Sequence, residues 1–333
     1  MPKIRSWLGY LAAGFLALVL LLACAGFIYE QVAESRDRRL NHPPGQLVDV
    51  GGYQMHIYCT GQGSPTVVLE SGLGDYWLAW YKVQPRISQF TRVCSYDRAG
   101  LGWSDPSPQS RTSKIFAQEL HTLLQRASIP APYVLVGHSL GGVNAHMFAS
   151  LYSAEVVGMI LVDSTYPHME KRLPPRVNDL VASIDRVTVL LGLAMPTGIP
   201  RLMGWCGTDH PEIQSMDRAV ECRRQFFRES HEEWAGLNED GDQLQATSPF
   251  GNMPLVVLSH DPDVSFEPGM PDDLEIDFNK AWGPMQVELA RLSTNSSRVL
   301  AKGSSHEIQI DRPDMVIEAV QKVVDQCRAA SQP

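Results

Sequence analysis

The feature of this 333-residue chain that most constrains its fold is an apolar run that passes into a glycine-rich turn. Residues 133–137, Tyr-Val-Leu-Val-Gly, are typical of a buried strand, and a helix-forming segment follows the turn. Gly137 and Gly141 flank Ser139, which lets a strand and a helix approach closely through a strained turn. The Ser139 hydroxyl is then expected at the carboxyl edge of a sheet, where N–H groups at the helix start favour a developing negative charge.

The body of the chain alternates short β-rich runs with runs at helical spacing, which indicates a mainly parallel sheet with crossover helices. Residues 164–252 interrupt this alternation, because they are helix-like, punctuated by proline and rich in Met, Trp and Arg. We interpret them as a helical cap inserted after the sixth strand of the sheet. The strands predicted from the apolar runs are 54–59, 66–70, 92–96, 133–137, 157–162, 254–259 and 298–301.

Charge and cysteine content exclude several classes of protein. The formal net charge is -9 and no long run of Lys and Arg is present, which argues against a nucleic-acid partner. The six cysteines are too few for a disulfide scaffold, and none has the C-x-x-C spacing of a zinc site. We therefore expect no nucleic-acid partner and no metal. The sequence also implies no cofactor.

The amino-terminal residues 7–29 carry no charge. As a helix they would be about 34 Å long, enough to cross a hydrocarbon core of about 30 Å. A cleavage site at residues 23–25 and a loose lipoprotein box at residues 21–24 are alternatives that would release or lipidate the body. Aromatic residues at both ends favour a retained anchor. We predict a transmembrane anchor over 1–29, a linker over 30–45 and a folded domain over 46–333.

The orientation of this anchor does not follow from counting charges. Lys3 and Arg5 on one side are matched by Arg36, Arg38 and Arg39 on the other. The cysteines of the body fit an oxidising compartment better, so we expect a single-pass membrane protein with its domain outside the cytoplasm. Its bilayer contact would be residues 7–29, and the sequence does not indicate protein partners.

With the turn around Ser139 in its strand and helix context, residues 45–329 resemble the α/β-hydrolase superfamily. The resemblance looks closest to its membrane-anchored bacterial serine hydrolases. It implies an α/β-hydrolase fold with an eight-stranded, mainly parallel sheet and helices on both faces. Ser71-Gly72-Leu73-Gly74 stands where the family carries a His-Gly oxyanion loop, with serine in place of histidine.

Carried over from the family, the backbone N–H groups of Leu73 and Leu140 would form the oxyanion hole. Residues 96–105 resemble the turn that follows the family's fourth strand. We treat that turn as structural and expect Asp97 and Arg98 to buttress the site.

A base and an acid must accompany a serine nucleophile at neutral pH. His306 follows the last predicted strand and occupies the family's Gly-His position. For the acid, the register of related hydrolases favours Asp263, with Asp261 two residues earlier able to serve instead. Asp163, at the end of the sixth strand, is a further alternative, because both loops reach the same edge. We give His138, beside the serine, a packing role.

The family's sheet order places Cys59 and Cys94 on neighbouring strands, so they form either a disulfide or a pair of buried thiols. In the cap, a bond between Cys206 and Cys222 would stabilise the fold by roughly 3 kcal/mol. Cys327 is left over. Several cap side chains could line an acyl pocket or form the cap's own core: Met203, Trp205, Phe226, Phe227 and Trp234.

These residues predict a membrane-anchored, carboxylesterase- or lipase-like serine hydrolase. Ser139 would attack the ester of a small acyl substrate, and His306 would transfer the proton. Serine at this turn argues against epoxide hydrolases and haloalkane dehalogenases, which use aspartate there. The alternatives are an amidase or peptidase, a thioesterase, an acyltransferase, a perhydrolase, or a hydrolase-like domain that binds a ligand without catalysis.

Overall fold

The computed structural model of the protein describes residues 2–208, 210–244, 249–266 and 269–330. Within these residues the chain forms an eight-stranded sheet in the order β1-β2-β4-β3-β5-β6-β7-β8. β2 is antiparallel to β1 and β4, and the remaining pairs are parallel. The strands are β1 (Gln46–Asp49), β2 (Gln54–Thr60), β3 (Thr66–Glu70), β4 (Val93–Tyr96), β5 (Tyr133–His138), β6 (Val156–Val162), β7 (Leu255–His260) and β8 (Ser296–Ala301).

Strands β2 to β8 confirm the seven strands predicted from the apolar runs, and their ends differ from the predicted ends by two residues or fewer. β1 was not predicted. It is only 4 residues long and mostly exposed, so it lacks the apolar run that marks a buried strand. Its backbone pairing with β2 adds one more strand to the edge of the sheet.

Helices fill the connections, and several lie between β6 and β7, where the cap was predicted. Short 3-10 turns occur at Trp77–Trp80, Ser153–Glu155, Met169–Lys171 and Met195–Thr197. The α-helices are α1 (Pro2–Leu40), α2 (Gln84–Ile87), α3 (Ser113–Arg126), α4 (Leu140–Leu151), α5 (Pro175–Ala194), α6 (Ile199–Leu202), α7 (Gln214–Glu221), α8 (Arg224–Leu244), α9 (Asp272–Ala290), α10 (Ile308–Asp311) and α11 (Pro313–Ala330).

The sheet is buried on both faces because alternate residues of each strand enter separate cores. Val68 of β3 packs in a cluster that includes Leu123 of α3. Its neighbour Val67 packs in a second cluster with Val320 of α11. Both faces of the central strands are therefore covered by helices, which leaves the carboxyl edge of the sheet as the place for a site.

The amino-terminal helix α1 is longer than the predicted anchor. It continues to Leu40, so the first part of the predicted linker 30–45 is helical. Residues 30–40 contain no glycine or proline, and Pro43-Pro44 comes only later. By length and composition, Gly9–Leu40 is a candidate membrane span, and so is Pro175–Thr197, which contains α5.

The chain divides into two compact units. One combines α1 with Val187–Arg228, and the other combines Pro43–Arg186 with the chain from Glu229 onward. The predicted cap over 164–252 is thus shared between both units. In the first unit, buried Arg201 binds the Glu30 carboxylate at 3.0 Å and also pairs with Asp37 of α1.

Both cysteine pairs considered in the sequence are disulfide-bonded. Cys59 and Cys94 are direct partners across β2 and β4. Cys206 and Cys222 are bonded within the first unit. Cys327 is a buried free thiol, and Cys24 of α1 is an exposed one.

Candidate functional site

Ser139 lies in a strained turn between β5 and α4. Its φ of 50° and ψ of -122° fall in a region that residues other than glycine rarely adopt. Neighbouring backbone holds it there: the Ser139 N–H donates to the Val162 carbonyl at 3.1 Å, and the Ser139 carbonyl accepts from Thr165 N–H at 3.0 Å. The turn therefore presents the serine at the carboxyl ends of β5 and β6.

The glycines around the serine are required by close contacts. A Cβ atom on Gly137 would lie 2.3 Å from the Gly141 carbonyl oxygen. A Cβ atom on Gly141 would lie 2.2 Å from the carbonyl oxygen of Glu70. The packing of α4 against the ends of β3 and β5 thus excludes side chains at both positions, as the sequence pattern predicted.

His306 and Asp163 form a buried pair near this turn. The Nδ1 atom of His306 lies 2.7 Å from Oδ2 of Asp163, which directly follows β6. Asp163 is fully buried and His306 is 6% exposed. When the Nδ1 proton is donated to the carboxylate, Nε2 keeps the lone pair that a base needs.

The structure corrects our preference for Asp263 or Asp261 as the partner of His306. The Asp261 carboxylate accepts from the N–H groups of Gly303 at 2.8 Å and Asp263 at 3.1 Å. Asp263 itself is exposed. Both residues belong to the turn after β7, where Asp261 holds the neighbouring loop instead of pointing at the histidine.

A second histidine, His260 at the end of β7, also binds Asp163 and was missed in the sequence. Its Nδ1 lies 2.9 Å from Asp163 Oδ2, and its Nε2 lies 2.7 Å from Oδ1 of Asn279. Because both ring nitrogens face acceptors, the cationic form is favoured. Burial opposes this, but the hydrogen bond to Asp163 raises the pKa of His260. The signal in the sequence was a histidine at the end of a buried strand at this edge.

Hydrogen bonds also settle the charge of Asp163. The indole Nε1 of Trp282 donates to Oδ1 at 3.0 Å. Burial alone would raise the pKa of this carboxyl group, but hydrogen bonds from His260 and His306 lower it below its usual range. Asp163 is therefore an ionised carboxylate at neutral pH.

His138 contributes charge as well as packing. It is buried, its ring centroid is 4.6 Å from that of His306, and Asp75 and Glu307 lie 3.8 and 3.9 Å from its ring nitrogens. Burial opposes protonation, but these carboxylates raise the pKa of His138 to about 9. Burial and the charge of His138 in turn lower the pKa of His306, whereas its hydrogen bond to the Asp163 carboxylate opposes this lowering.

Among the described residues, one group of donor atoms is close enough to hold a metal ion. The ligand atoms of His138, His306 and Glu307 lie within 4.8 Å of one another. An ion there would engage the same imidazole that binds Asp163. Metal binding and use of His306 as a base are therefore mutually exclusive.

Buried Arg98 holds the loop that follows β3. Its guanidinium donates to the carbonyls of Ser71 at 2.7 Å and Gly72 at 2.5 Å and to the Glu70 carboxylate at 3.0 Å. Glu233 of α8 accepts from Arg98 at 2.8 Å and from the Gly74 N–H at 2.9 Å. The loop after β3 and the helix α8 therefore both bind the Arg98 guanidinium.

Asp97, the neighbour of Arg98, holds backbone in the same region. Its carboxylate accepts from the N–H groups of Trp77 and Trp103, each at 2.9 Å, and pairs with His56 at 2.8 Å. The positions of Asp97 and Arg98 agree with the buttressing role expected for them.

Ser139 and His306 line a common cavity of about 330 Å³. Leu73 also lines it, whereas Leu140 is the first residue of α4, where helix N–H groups lack acceptors within the helix.

Of the cap side chains considered in the sequence, Trp234 lines the cavity; Trp205 and Met203 are exposed, and Phe226 and Phe227 pack near the Cys206–Cys222 bond. The other apolar lining comes from Met169, Leu173, Leu180, Val181, Ile184, Phe266, Met270, Phe278 and Trp282.

Comparison with known proteins agrees with this architecture. The sequence model for the alpha/beta hydrolase fold matches residues 65–259, more than half of the chain. The chain belongs to the alpha/beta hydrolase family. The residues matched by the family model run from the start of β3 into β7, so they include Ser139 and Asp163.

Two curated relatives of this alpha/beta hydrolase come from Bacillus subtilis (strain 168). The uncharacterized protein YbdG is 32% identical over 176 residues, which cover 52% of each chain. The uncharacterized protein YqjL is 26% identical over 263 residues, 79% of this chain and 85% of YqjL. The chain thus spans about half the length of YbdG, and neither name states an activity.

Solved structures of hydrolases share the fold of this alpha/beta hydrolase. The thermophilic esterase from Thermogutta terrifontis, solved with malate bound, superposes with a TM-score of 0.60 at 20% sequence identity. The match covers 86% of this chain and 99% of the esterase. At this identity the likeness establishes the fold alone.

We predict that Arg98→Met lowers the free energy of unfolding by about 3 kcal/mol or more, because Glu70 and Glu233 would remain as unpaired buried charges. Chemical denaturation of the detergent-solubilised protein measures the change. Arg126→Met is the matched control, since Arg126 binds Asp49 in an exposed pair. Equal effects of the two substitutions would contradict the importance of the buried network.

Proposed function

We propose that this alpha/beta hydrolase is a membrane-anchored serine hydrolase that cleaves esters of apolar acyl groups. The observation that carries the proposal is the 2.7 Å contact between His306 and Asp163, beside Ser139 in an apolar cavity. A serine, a neutral histidine and an ionised carboxylate are the groups that acyl transfer requires. The esterase among the structural neighbours is consistent with this choice.

In the first half of the reaction, Ser139 Oγ attacks the ester carbonyl while Nε2 of His306 accepts its proton. The Asp163 carboxylate stabilises the imidazolium that forms. Backbone N–H groups of Leu73 and Leu140 receive the oxyanion of the tetrahedral intermediate. Collapse of the intermediate breaks the ester C–O bond, and His306 gives its proton to the departing alcohol.

In the second half, water hydrolyses the acyl-enzyme. His306 takes a proton from the water as it attacks the acyl carbonyl, and the same oxyanion contacts are used again. The carboxylic acid leaves when the bond to Ser139 Oγ breaks, and His306 returns its proton to the serine. Asp163 keeps its charge throughout, held by its hydrogen bonds from His260 and Trp282.

The lining of the cavity supports an apolar acyl group. Its walls are mostly aliphatic and aromatic, and its volume of about 330 Å³ is at the lower end for small-molecule sites. Polar groups are concentrated near Ser139, where His138, Asp75 and Glu307 also line the cavity. A short or medium acyl ester fits this distribution better than a charged substrate.

The membrane anchor in the proposal is the apolar part of α1. Residues 7–29 carry no charge, and the side chains of residues 9–24 are exposed. The two disulfides support a domain on the oxidising side of the membrane.

Loss of the Ser139 hydroxyl should abolish catalysis. We expect Ser139→Ala to reduce ester hydrolysis by at least about 10³-fold and to remove covalent labelling by a fluorophosphonate probe. Ser150→Ala, in the helix α4 that follows the Ser139 turn, is the matched control and should be labelled like the wild type. If the Ser139→Ala protein is still labelled, another residue is the nucleophile; if the folded wild type is inert to probes and esters, a ligand-binding domain becomes the better interpretation.

Substitution of the acid separates Asp163 from the alternatives. We expect Asp163→Asn to reduce kcat by about 10³- to 10⁴-fold, because the histidine loses its ionised partner. Asp263→Asn and Asp261→Asn should retain activity within a few-fold. Steady-state kinetics with a short-chain nitrophenyl ester provide the measurement, and thermal melting checks that each variant is folded. A larger loss in Asp263→Asn than in Asp163→Asn would reverse the assignment.

The pH profile should report the pKa of His306. Since burial and His138 lower this pKa, the acid limb of kcat/KM should have its midpoint below 6.5. His138→Gln removes a positive charge that disfavours protonated His306, so the midpoint should move to higher pH. His121→Gln, on α3, is the control and should not move it. An unchanged midpoint in His138→Gln would mean that His138 is uncharged near pH 6.

A further inference from the structure

The segment from Val187 to Trp205 exposes an unusual number of large apolar side chains. Leu202 is 67% exposed and Leu190 and Leu193 are each 63% exposed. Thr197 is the one exposed residue of the segment with a polar side chain. Exposed apolar surface of this extent marks an interaction site. Its most exposed large apolar residues are Val187, Leu190, Leu193, Leu202, Met203 and Trp205.

The one charge in this segment, Arg201, is turned away from solvent. It is 6% exposed, bound to the Glu30 carboxylate at 3.0 Å, paired with Asp37, and donates to the Cys222 carbonyl at 2.8 Å. These contacts satisfy the guanidinium inside the unit. The exposed surface of residues 187–205 therefore presents no charge.

The position of this surface along α1 indicates what covers it. A Cβ atom on Gly26 would lie 2.1 Å from the Thr197 carbonyl oxygen, so backbone of the segment touches α1 there. Gly198 likewise packs on the ring of Tyr29. Gly26 and Tyr29 lie at the end of the uncharged run, which at about 34 Å slightly exceeds a hydrocarbon core of about 30 Å. A helix that crosses the bilayer thus brings residues 197–198 to the membrane boundary.

We infer that residues 187–205 insert into the interfacial layer of the same bilayer that α1 crosses. The inference rests on the membrane anchor of the proposed function, not on its hydrolase chemistry. The apolar side chains enter the acyl boundary and the Trp205 indole lies at the headgroup level, as in monotopic membrane elements. The occupant of the surface is lipid.

The same region lies in the membrane surface and does not span it. The part of α5 before Val187 carries Arg176, 2.8 Å from Asp273, and Asp185, 2.8 Å from His231. These charged groups keep that part of the helix outside the hydrocarbon core. Only the part from Val187 onward, where Val187, Leu190 and Leu193 lie three residues apart, is apolar enough to enter lipid.

The test uses a fluorescent NBD probe on single cysteines of the full chain in phosphatidylcholine and phosphatidylglycerol vesicles. Cys327→Ser is common to all variants, and the disulfides stay intact without reductant. Native Cys24 reports α1, Leu202→Cys with Cys24→Ala reports the segment, and Leu300→Cys with Cys24→Ala is the control. Leu300 is an exposed apolar residue of β8, close to Arg298 and Lys302.

We expect nitroxide-labelled lipid to quench the probes at residues 24 and 202 several-fold more than the probe at 300, and aqueous iodide to show the reverse order. A probe at 202 that behaves like the one at 300 overturns the inference. A probe at 202 shielded from both quenchers also overturns it, because a protein or a second copy would then cover the surface. If the Cys24 probe escapes lipid quenching, the anchor itself fails, independently of the Ser139 labelling result.

Discussion

The candidate site depends on one buried carboxylate. Asp163 follows β6 and accepts hydrogen bonds from side chains at the end of β7, in α9 and after β8. A buried charge without partners is costly, so these donors must be in place together. The position of the His306 ring relative to Asp163 therefore requires the folded ends of β6, β7 and β8 and the helix α9 together.

The sequence predicted the strands and the turn of this site better than the carboxylate that pairs with His306. Buried strands have apolar runs in the sequence, and close contacts at the Ser139 turn require glycines. Both features can therefore be recognised from a short stretch of sequence. Asp163, Asp261 and Asp263 all follow strands that end at the same edge. Which of them meets His306 depends on side-chain direction in two neighbouring loops, and a linear pattern does not encode that direction.

His260 illustrates a related limit. A histidine at the end of an apolar strand has the same local pattern whether it packs in a core or binds a carboxylate. Its bonds to Asp163 and Asn279 join residues far apart in the sequence. For the same reason, the sequence predicted one continuous cap over 164–252 and not the unit boundaries at Val187 and Arg228. The pairing of Arg201 with Glu30 is a long-range contact that periodicity does not reveal.

Two of the residues that we propose for catalysis adopt strained backbone conformations, since φ is 50° at Ser139 and 41° at Asp163. Glycine would adopt either conformation without strain, but it would remove the hydroxyl or the carboxylate. Folding stability and chemistry are thus opposed at Ser139. At Asp163, glycine would also leave the buried donors of His260, Trp282 and His306 without their acceptor. A lineage of such chains released from selection for activity would gain thermal stability by replacing Ser139 with glycine, so loss of function would leave its trace as a more stable turn after β5.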